Sequence, residues 1–393
     1  MRNLYEVNLS TLPIELELIL EVLKENDVEV SNKKFKDKEI DWDKFLQHAY
    51  HHRLFPILYK KLNLAKKHWI PSSVIHQLKS SYEKNTFHML FLFGEMEALN
   101  QILQSNGIRS LFLKGPILAK DLYDEISNRT CGDLDLLIPF KDLEIVDHIL
   151  TDLGYQKDEY IKSLLGDWKW RHHHFTYFHS KKGTKVEIHW RLNPSPSNEP
   201  TFEELWNQRR MFILKDKPIH YLGEEDLFLF LVTHGARHGW SRLRWLMDIH
   251  MILNKELDWN KINRKIQILQ VSKLVGQSLI LSYSLFNTKI PIYVKGLTTK
   301  KQSKRLAQNA LFYLERMVNL HHVPVPIEVS KFHARHLFSL MSRRQKILHL
   351  LSILHPFYTD AEMLPLPKQL HFLYFPLRPF LLLWKRKNKH VLS

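Results

Sequence analysis

The length, composition and charge of the chain exclude several classes of protein. Its 393 residues are 44% apolar and 12% aromatic, which can bury a large core in two or three domains and excludes a disordered chain. The formal charge of +16 favours a polyanionic partner such as a nucleotide, a nucleic acid or an anionic membrane surface. The single cysteine, Cys131, excludes an intrachain disulfide and a cysteine-rich zinc site, and it fits a reducing cytoplasm.

Residues 1–105 are predicted to be helical. Apolar residues recur with the helical period from Leu16 to Leu23 and from Trp42 to Leu54, and a third helix is expected from about Ser72 to Gln104. Glu15 and Glu17 interrupt the N-terminal apolar run, so we expect no export signal. Three histidines of the second helix lack an acidic residue or cysteine at ligand spacing and are expected at surface or boundary positions rather than on a metal: His48, His51 and His52.

The stretch from Ile108 to Ile138 predicts a strand, a turn, a helix and a second strand. Leu111–Leu113 form the first apolar strand, Lys114-Gly115 the turn, and Pro116 opens a helix that runs to about Tyr123. The second strand, residues 133–138, follows after a loop. This order of elements predicts an α/β unit over residues 106–192.

Acidic residues of this unit are predicted to share one face of a sheet. Asp133 and Asp135 are two positions apart, so both point to the same side of their strand. On the later strand Val186–Trp190 the same alternation presents Glu187 and His189 together. Adjacent carboxylates repel each other unless a cation bridges them, and oxygen ligands of this kind favour Mg²⁺ or Mn²⁺. The pattern predicts a metal site.

The segment between the two acidic strands is rich in histidine. A helix is predicted from Lys141 to Leu153, ended by Gly154, and His172–Phe178 is predicted to form a hairpin with Val186–Trp190. Alternation places His172 and His174 on one face. They are interpreted either as a metal pair or as polar strand residues near a cleft, one of which contacts a nucleotide or an acceptor.

Five motifs occur in a fixed order: LKGPILAKDLY, an arginine, GDLDLLI, LGY and VEIHW. This ordered set resembles the uncharacterised nucleotidyltransferase family of the DNA-polymerase-β-like nucleotidyltransferase superfamily. The resemblance covers roughly residues 10 to 255. It implies an α+β fold, in which a small mixed-sheet nucleotidyltransferase core is flanked by N-terminal and C-terminal helical regions. It also implies a nucleoside triphosphate as substrate, and Mg²⁺ or Mn²⁺ as cofactor.

The resemblance also implies roles for individual residues. Asp133, Asp135 and Glu187 would hold metal and carry catalysis, whereas Lys114 and Gly115 would bind phosphate. Superfamily members usually carry Gly-Ser where this chain has Lys114-Gly115, and often Ser where it has Gly132. A glycine turn and a helix N-terminus still favour an anion, and the lysine adds a charge. Arg129, four residues before the first acid, would hold an acidic metal ligand or a phosphate oxygen.

Proline and serine mark residues 193–200 as a linker to a C-terminal helical domain, residues 201–393. Helices are expected over 226–232, 234–238 and 243–253. A polar cluster in this region is interpreted either as a salt-bridged helix pair, in which Asp248 accepts from Arg244, or as a cleft-facing group that binds the triphosphate or the acceptor. The cluster comprises His234, Arg237, His238, Arg242, Arg244 and Asp248. We therefore count His174, His189, His234 and Arg242 as candidate substrate contacts.

The final segment joins apolar residues 372–384 to four basic residues, Lys385, Arg386, Lys387 and Lys389. It is too short and too broken to span a bilayer, and it fits either packing on the helical domain or peripheral docking on a membrane or a protein. The first functional hypothesis is a metal-dependent nucleotidyltransferase acting on an unknown small-molecule, peptide or protein acceptor. The second is a noncatalytic adaptor with the same fold. The third, RNA modification, has only the positive charge in its favour.

Overall fold

The computed structural model describes residues 7–24, 35, 38–64, 69–320 and 324–389. The helices, labelled in chain order, are α1 (Ile14–Lys24), α2 (Trp42–His51), α3 (Phe55–Leu64), α4 (Ser72–Ser105), α5 (Pro116–Tyr123), α6 (Leu143–Asp152), α7 (Trp168–Arg171), α8 (Phe202–Asn207), α9 (Glu224–Arg237), α10 (Leu243–Ile252), α11 (Trp259–Leu269), α12 (Ser272–Phe286), α13 (Lys295–Thr298), α14 (Lys301–Glu315), α15 (Ile327–Leu340), α16 (Arg343–Leu354), α17 (Tyr358–Met363) and α18 (Tyr374–Lys389). The strands are β1 (Leu111–Phe112), β2 (Leu134–Leu137), β3 (Gln156–Lys157), β4 (His174–His179), β5 (Thr184–His189), β6 (Arg210–Leu214) and β7 (Lys217–Tyr221).

All seven strands form one mixed sheet in the order β3-β4-β5-β2-β1-β7-β6. Strands β2 and β5 at its centre are parallel, and so are β1 and β7, while the other neighbours are antiparallel. Together with the helices around it, this sheet confirms the predicted α+β class.

The turn after β1 depends on a glycine. Gly115 has φ 87°, a left-handed conformation that L-residues with a Cβ adopt only with strain. Pro116 follows at the first position of α5 and supplies the fixed φ that a helix start requires. The predicted start and end of this helix are confirmed.

Two hydrophobic clusters cover the two faces of the sheet at β1. Leu111 and Leu113 belong to a cluster that includes the N-terminal helices and helices α9 to α14. Phe112, which points to the other face, belongs to a cluster with α4, α6 and the inner residues of β2 and β5. Because successive strand residues point to opposite faces, a strand of two residues links both cores.

Several expected elements differ in the structure. The C-terminal region contains the hairpin β6-β7, which the sequence analysis did not identify and which extends the sheet beyond β1. Helix α9 is continuous, so the expected break near Thr233 was wrong. The expected surface or boundary position was also wrong for His48 and His52, which are buried; His52 contacts the start of α10. No described helix is long and apolar enough to cross a membrane.

Candidate active site

A polar cleft of about 640 Å³ lies between the sheet and the helices α9 and α10. Its sheet side carries acidic and histidine side chains and its helix side carries mainly cationic ones. The residues lining it are Arg53, Lys114, Gly132, Asp133, Tyr160, His173, His174, Thr176, Lys185, Glu187, His189, His234, Arg237, His238, Arg242, Arg244, Trp245 and Asn319. The cleft therefore contains seven of the ten residues predicted to form the site; Gly115, Arg129 and Asp135 are absent from its lining.

Sheet register positions the acids. Asp135 of β2 pairs directly with Glu187 of β5 in the parallel ladder, so both side chains project from the same face. Asp133 lies one residue before β2, at the rim of the cleft. Asp135 is fully buried, Glu187 is mostly buried, and the Asp133 side chain is 30% exposed. The structure thus brings the three predicted acids to one place, at increasing depth from Asp133 to Asp135.

Three cationic groups contact these acids. Lys114 Nζ lies 2.9 Å from Asp135 Oδ1. His189 Nε2 lies 3.2 Å from the same Asp135 oxygen and 3.6 Å from Glu187 Oε2. Lys185 Nζ lies 2.6 Å from Glu187 Oε1 and 3.5 Å from Asp133 Oδ2. Each acid is therefore held by at least one cation.

The pKa values of the buried groups follow from these contacts. Burial opposes the charge on Asp135, yet the Lys114 ammonium and the His189 hydrogen bond together outweigh burial and keep the pKa of Asp135 below its usual value. Burial likewise opposes the charge on His189, but its bonds to the two carboxylates raise its pKa. The pKa of Asp133 is raised by burial and by the nearby Asp135 charge. Asp135, the deepest acid, therefore stays ionised more readily than Asp133 at the rim of the cleft.

The acids and one histidine fit a divalent cation. Ligand atoms of Asp135, Glu187 and His189 all lie within 4.8 Å of one another. The second oxygen of Asp135, Oδ2, is buried and has no hydrogen-bond partner among the described residues. An unpaired buried carboxylate oxygen is costly, and a hard cation would satisfy it. Asp133, a predicted ligand, is not part of this close group, whereas His189 is.

Two adjacent histidines line the cleft next to Glu187. His174 Nε2 lies 3.9 Å from Glu187 Oε2, and its Nδ1 lies 3.2 Å from His173 Nε2. Burial and the neighbouring His189 lower the pKa of His174 to about 3, so its ring is neutral. Strand alternation does not extend to His172, because β4 begins only at His174. The histidine beside His174 in the cleft is His173, and His172 is absent from the lining.

The opposite wall is strongly cationic. Arg53, Arg237 and Arg242 have no carboxylate within salt-bridge distance among the described residues. Burial lowers the pKa of both Arg237 and Arg244 to about 10. Charged groups held in a cleft without counter-ions attract anions. This wall is thus suited to a polyanionic ligand such as a polyphosphate.

Arg129 serves a different contact from the one predicted. Its guanidinium is 2% exposed and forms two bonds with Asp248 of α10, from Nε at 2.8 Å and from Nη2 at 2.9 Å. Tyr123 also donates to Asp248, at 2.6 Å. The expected Arg244 to Asp248 salt bridge is replaced by this arrangement, and Arg244 donates to Thr130 instead. Arg129 therefore joins the loop before the acids to α10 and does not reach the cleft.

Sequence reasoning missed part of the cleft. Lys185 had a usable signal, because it lies two positions before Glu187 and strand alternation puts both on one face. No sequence signal pointed to Arg53, because it lies in the turn after α2, far from the acids in sequence. Tyr160 belongs to an irregular segment whose position no periodicity predicts.

The model of one protein family, described as uncharacterised nucleotidyltransferase, matches residues 38–287. This match covers more than half of the chain and includes α2, the whole sheet and the helices α9 to α11. No curated protein and no solved structure gives a significant match.

Proposed function

The chain belongs to the uncharacterised nucleotidyltransferase family, and from this membership we propose that it is a metal-dependent nucleotidyltransferase. It would move a nucleoside monophosphate from a nucleoside triphosphate to a hydroxyl group of an acceptor. The observation that carries the proposal is the pair Asp135 and Glu187 on neighbouring strands. Glu187 lines the cationic cleft, and Asp135 is buried next to it, in contact with Lys114 and His189 of the lining. Transfer of a nucleoside monophosphate from a triphosphate uses carboxylates that hold a divalent cation and positive groups that hold the phosphates.

The triphosphate would be bound by Lys114 and Gly115 together with Arg242 and Arg244 of the cationic wall. The left-handed turn at Gly115 leads into the N-terminus of α5, where free N–H groups favour an anion. Lys114 lines the cleft directly before this turn. Arg244 and Arg242 face it from α10 and the residue before that helix. We assign Arg129 a positioning role, because it orients the loop between α5 and the acids.

Asp133, Asp135 and Glu187, together with His189, would hold Mg²⁺ or Mn²⁺. A bound divalent cation would lower the pKa of the acceptor hydroxyl and neutralise charge on the phosphates. The acceptor oxygen attacks the α-phosphorus, and its new P–O bond replaces the bond to the bridging oxygen of the leaving pyrophosphate. Glu187, which lines the cleft, would complete the metal site or take the hydroxyl proton.

The test is a thermal-shift titration. Wild-type protein should melt at a higher temperature when Mg²⁺ and a nucleoside triphosphate are added together, because ligands of the folded state stabilise it. Asp135→Asn should lose that gain while Asp158→Asn, at an exposed carboxylate outside the cleft, should keep it. An undiminished gain in Asp135→Asn would reject the assignment.

A surface feature favours docking as a second candidate role. The apolar side chains of Ile347, Leu350, Leu351 and Leu354 follow the helical period on α16 and are each 52–60% exposed. Phe380 and Leu383 of α18, in the predicted docking segment, are also exposed, while the side chains of Lys385–Lys389 lie outside the described residues. Exposed apolar stripes mark contact surfaces.

We expect sedimentation with phosphatidylserine vesicles to fall when Leu350 and Leu351 are both replaced by Ser. Replacing Ser330 of α15, an exposed residue outside this stripe, by Ala should leave it unchanged. Equal sedimentation of both variants would argue against this surface.

A further inference from the structure

A second cavity, of about 390 Å³, adjoins the cleft and is mostly apolar. Its apolar wall is formed by Leu274 of α12, by Leu337 and Leu340 of α15 and by Met341, and the linker 194–197 closes one side. Pockets of this size, with apolar walls and a few polar groups, are the usual form of a small-molecule site.

Arg237 separates the cavity from the cleft and lines both. One of its nitrogens, Nη1, contacts His173 Nε2 at 2.9 Å. Its Nε is buried and has no hydrogen-bond partner in the described part of the chain. A buried donor without a partner costs free energy, so an oxygen atom of a ligand at this position would be stabilising.

The cavity lies on the Glu187 side of the cleft. Arg237 contacts His173, His173 contacts His174, and His174 lies 3.9 Å from Glu187. Arg244, one of the groups proposed to bind the triphosphate, donates instead to Thr130 in the loop between α5 and β2. A molecule that extends from the cavity past Arg237 and His173 would therefore reach Glu187, the group proposed to take the proton of the acceptor hydroxyl.

We propose that this cavity binds the acceptor, and that the acceptor is a small molecule whose reactive hydroxyl is carried on an apolar body with an anionic or hydrogen-bond-accepting oxygen at Arg237. This inference rests on the proposed function. Helix α15, Met341 and residues of α16 form one wall of the cavity and lie beyond residue 287, outside the family match. Acceptor choice is therefore set largely by a part of the chain that the family model does not cover.

The cavity can be filled without disturbing the core. Ala334 of α15 is exposed and lines the cavity. Ser330, one helical turn earlier, is also exposed but does not line the cavity. Ala334→Trp should block the cavity, and Ser330→Trp should serve as a control with the same added side chain. A suitable probe is 6-hydroxy-2-naphthoate, which is fluorescent and has an apolar body, a hydroxyl and a carboxylate.

Fluorescence anisotropy with wild-type protein should show saturable binding of the probe. Binding should weaken at least tenfold in Ala334→Trp, because the apolar contact is lost, and should be unchanged in Ser330→Trp. Binding of Mg²⁺ and a nucleoside triphosphate should be equal in all three proteins. With labelled triphosphate, transfer of label to the probe should fall in Ala334→Trp alone.

Two results would overturn the inference on its own: probe binding that survives Ala334→Trp, or no probe binding by a wild-type protein that binds the triphosphate. Wild-type protein that binds no triphosphate with Mg²⁺ would instead reject the proposed function, and the acceptor assignment with it. Loss of triphosphate binding in Ala334→Trp would show that the cavity serves the nucleotide, and would also reject the acceptor assignment.

Discussion

Lys114 illustrates how a single residue takes two roles in this site. Its ammonium is mostly buried and bonded to Asp135 at 2.9 Å. Burial alone would disfavour that charge, but the carboxylates Asp135 and Asp133 raise the pKa of Lys114. The lysine thus stays charged in the cleft, where it compensates the acids; in the proposed function it would also bind a phosphate of the nucleotide.

We expect Lys114→Ala to weaken binding of a nucleoside triphosphate roughly ten- to a hundred-fold, since a charge-assisted bond to phosphate contributes about 1.5–3 kcal/mol. Binding of the monophosphate should barely change. Calorimetric titration of both ligands at one salt concentration measures this, with Lys120→Ala as control, at an exposed lysine of α5, the helix that follows Lys114. If both affinities fell together, Lys114 would act only through its bond to Asp135.

The sequence was sufficient to find the acids but not the arginines of the wall that faces them. Asp133, Asp135 and Glu187 stand out because strand alternation and the spacing of the motifs are local properties. The cations of the facing wall, such as Arg53 and Arg237, come from the turn after α2 and from α9, which are remote from the acids in sequence. Which face of α9 meets the sheet is decided by tertiary packing, which periodicity in a uniformly buried helix does not encode.

At the scale of elements, the junction of α9 and α10 sets the shape of the cationic wall. The indole of Trp240, fully buried, packs against Gly235 in α9 so closely that a Cβ there would lie 2.1 Å from Cζ3 of the indole. The backbone at Trp240 has φ 57°, which leads the chain sharply from one helix toward the next. This turn holds Arg237 and Arg242 over the same cleft.

The substitution Gly→Ala should therefore have opposite effects at two helical glycines. Gly235→Ala should destabilise the protein by about 1–3 kcal/mol, because Trp240 must move, and should also weaken triphosphate binding. Gly94→Ala, in the exposed middle of α4 with nothing near its Cβ position, should stabilise it by about 0.5–1 kcal/mol. Urea denaturation measures both, and a neutral Gly235→Ala would contradict the tight packing.

At the scale of the whole molecule, the predicted division at residues 193–200 does not divide the core. One hydrophobic cluster contains Leu16 and Phe45 from the N-terminal helices, Leu111 from the sheet and Leu279 from α12. A core shared in this way couples the stability of its parts. The domain boundaries read from the sequence remain predictions, because proline-rich composition marks a turn of the chain as readily as a domain border.

We expect the region from α1 to α14 to unfold in one cooperative transition. Circular dichroism, which reports helices, and tryptophan fluorescence, which reports packing, should give coincident urea curves. Two separate midpoints would show instead that the helical regions and the sheet are independent units.

The hairpin β6-β7 shows where prediction of the fold failed. Its strands are short, and the KPIHY segment carries a proline, which disfavours an interior strand. Pro218 is nevertheless tolerated because β7 pairs with β1 only at Tyr221, and the hairpin partner β6 lies at the sheet edge. Pairing between residues more than a hundred positions apart leaves no local trace in the sequence.

That pairing also fixes an order of events while the protein is being made. Phe112 of β1 emerges from the ribosome more than a hundred residues before its partner Tyr221, a delay of roughly 5–20 s at ordinary speeds of translation. During this interval β1, an apolar strand, lacks the neighbour that later covers its edge, and exposed strand edges promote aggregation. The long helix α4 is synthesised just ahead of β1 and packs on the same face as Phe112, so it is placed to shield the nascent strand until the hairpin arrives.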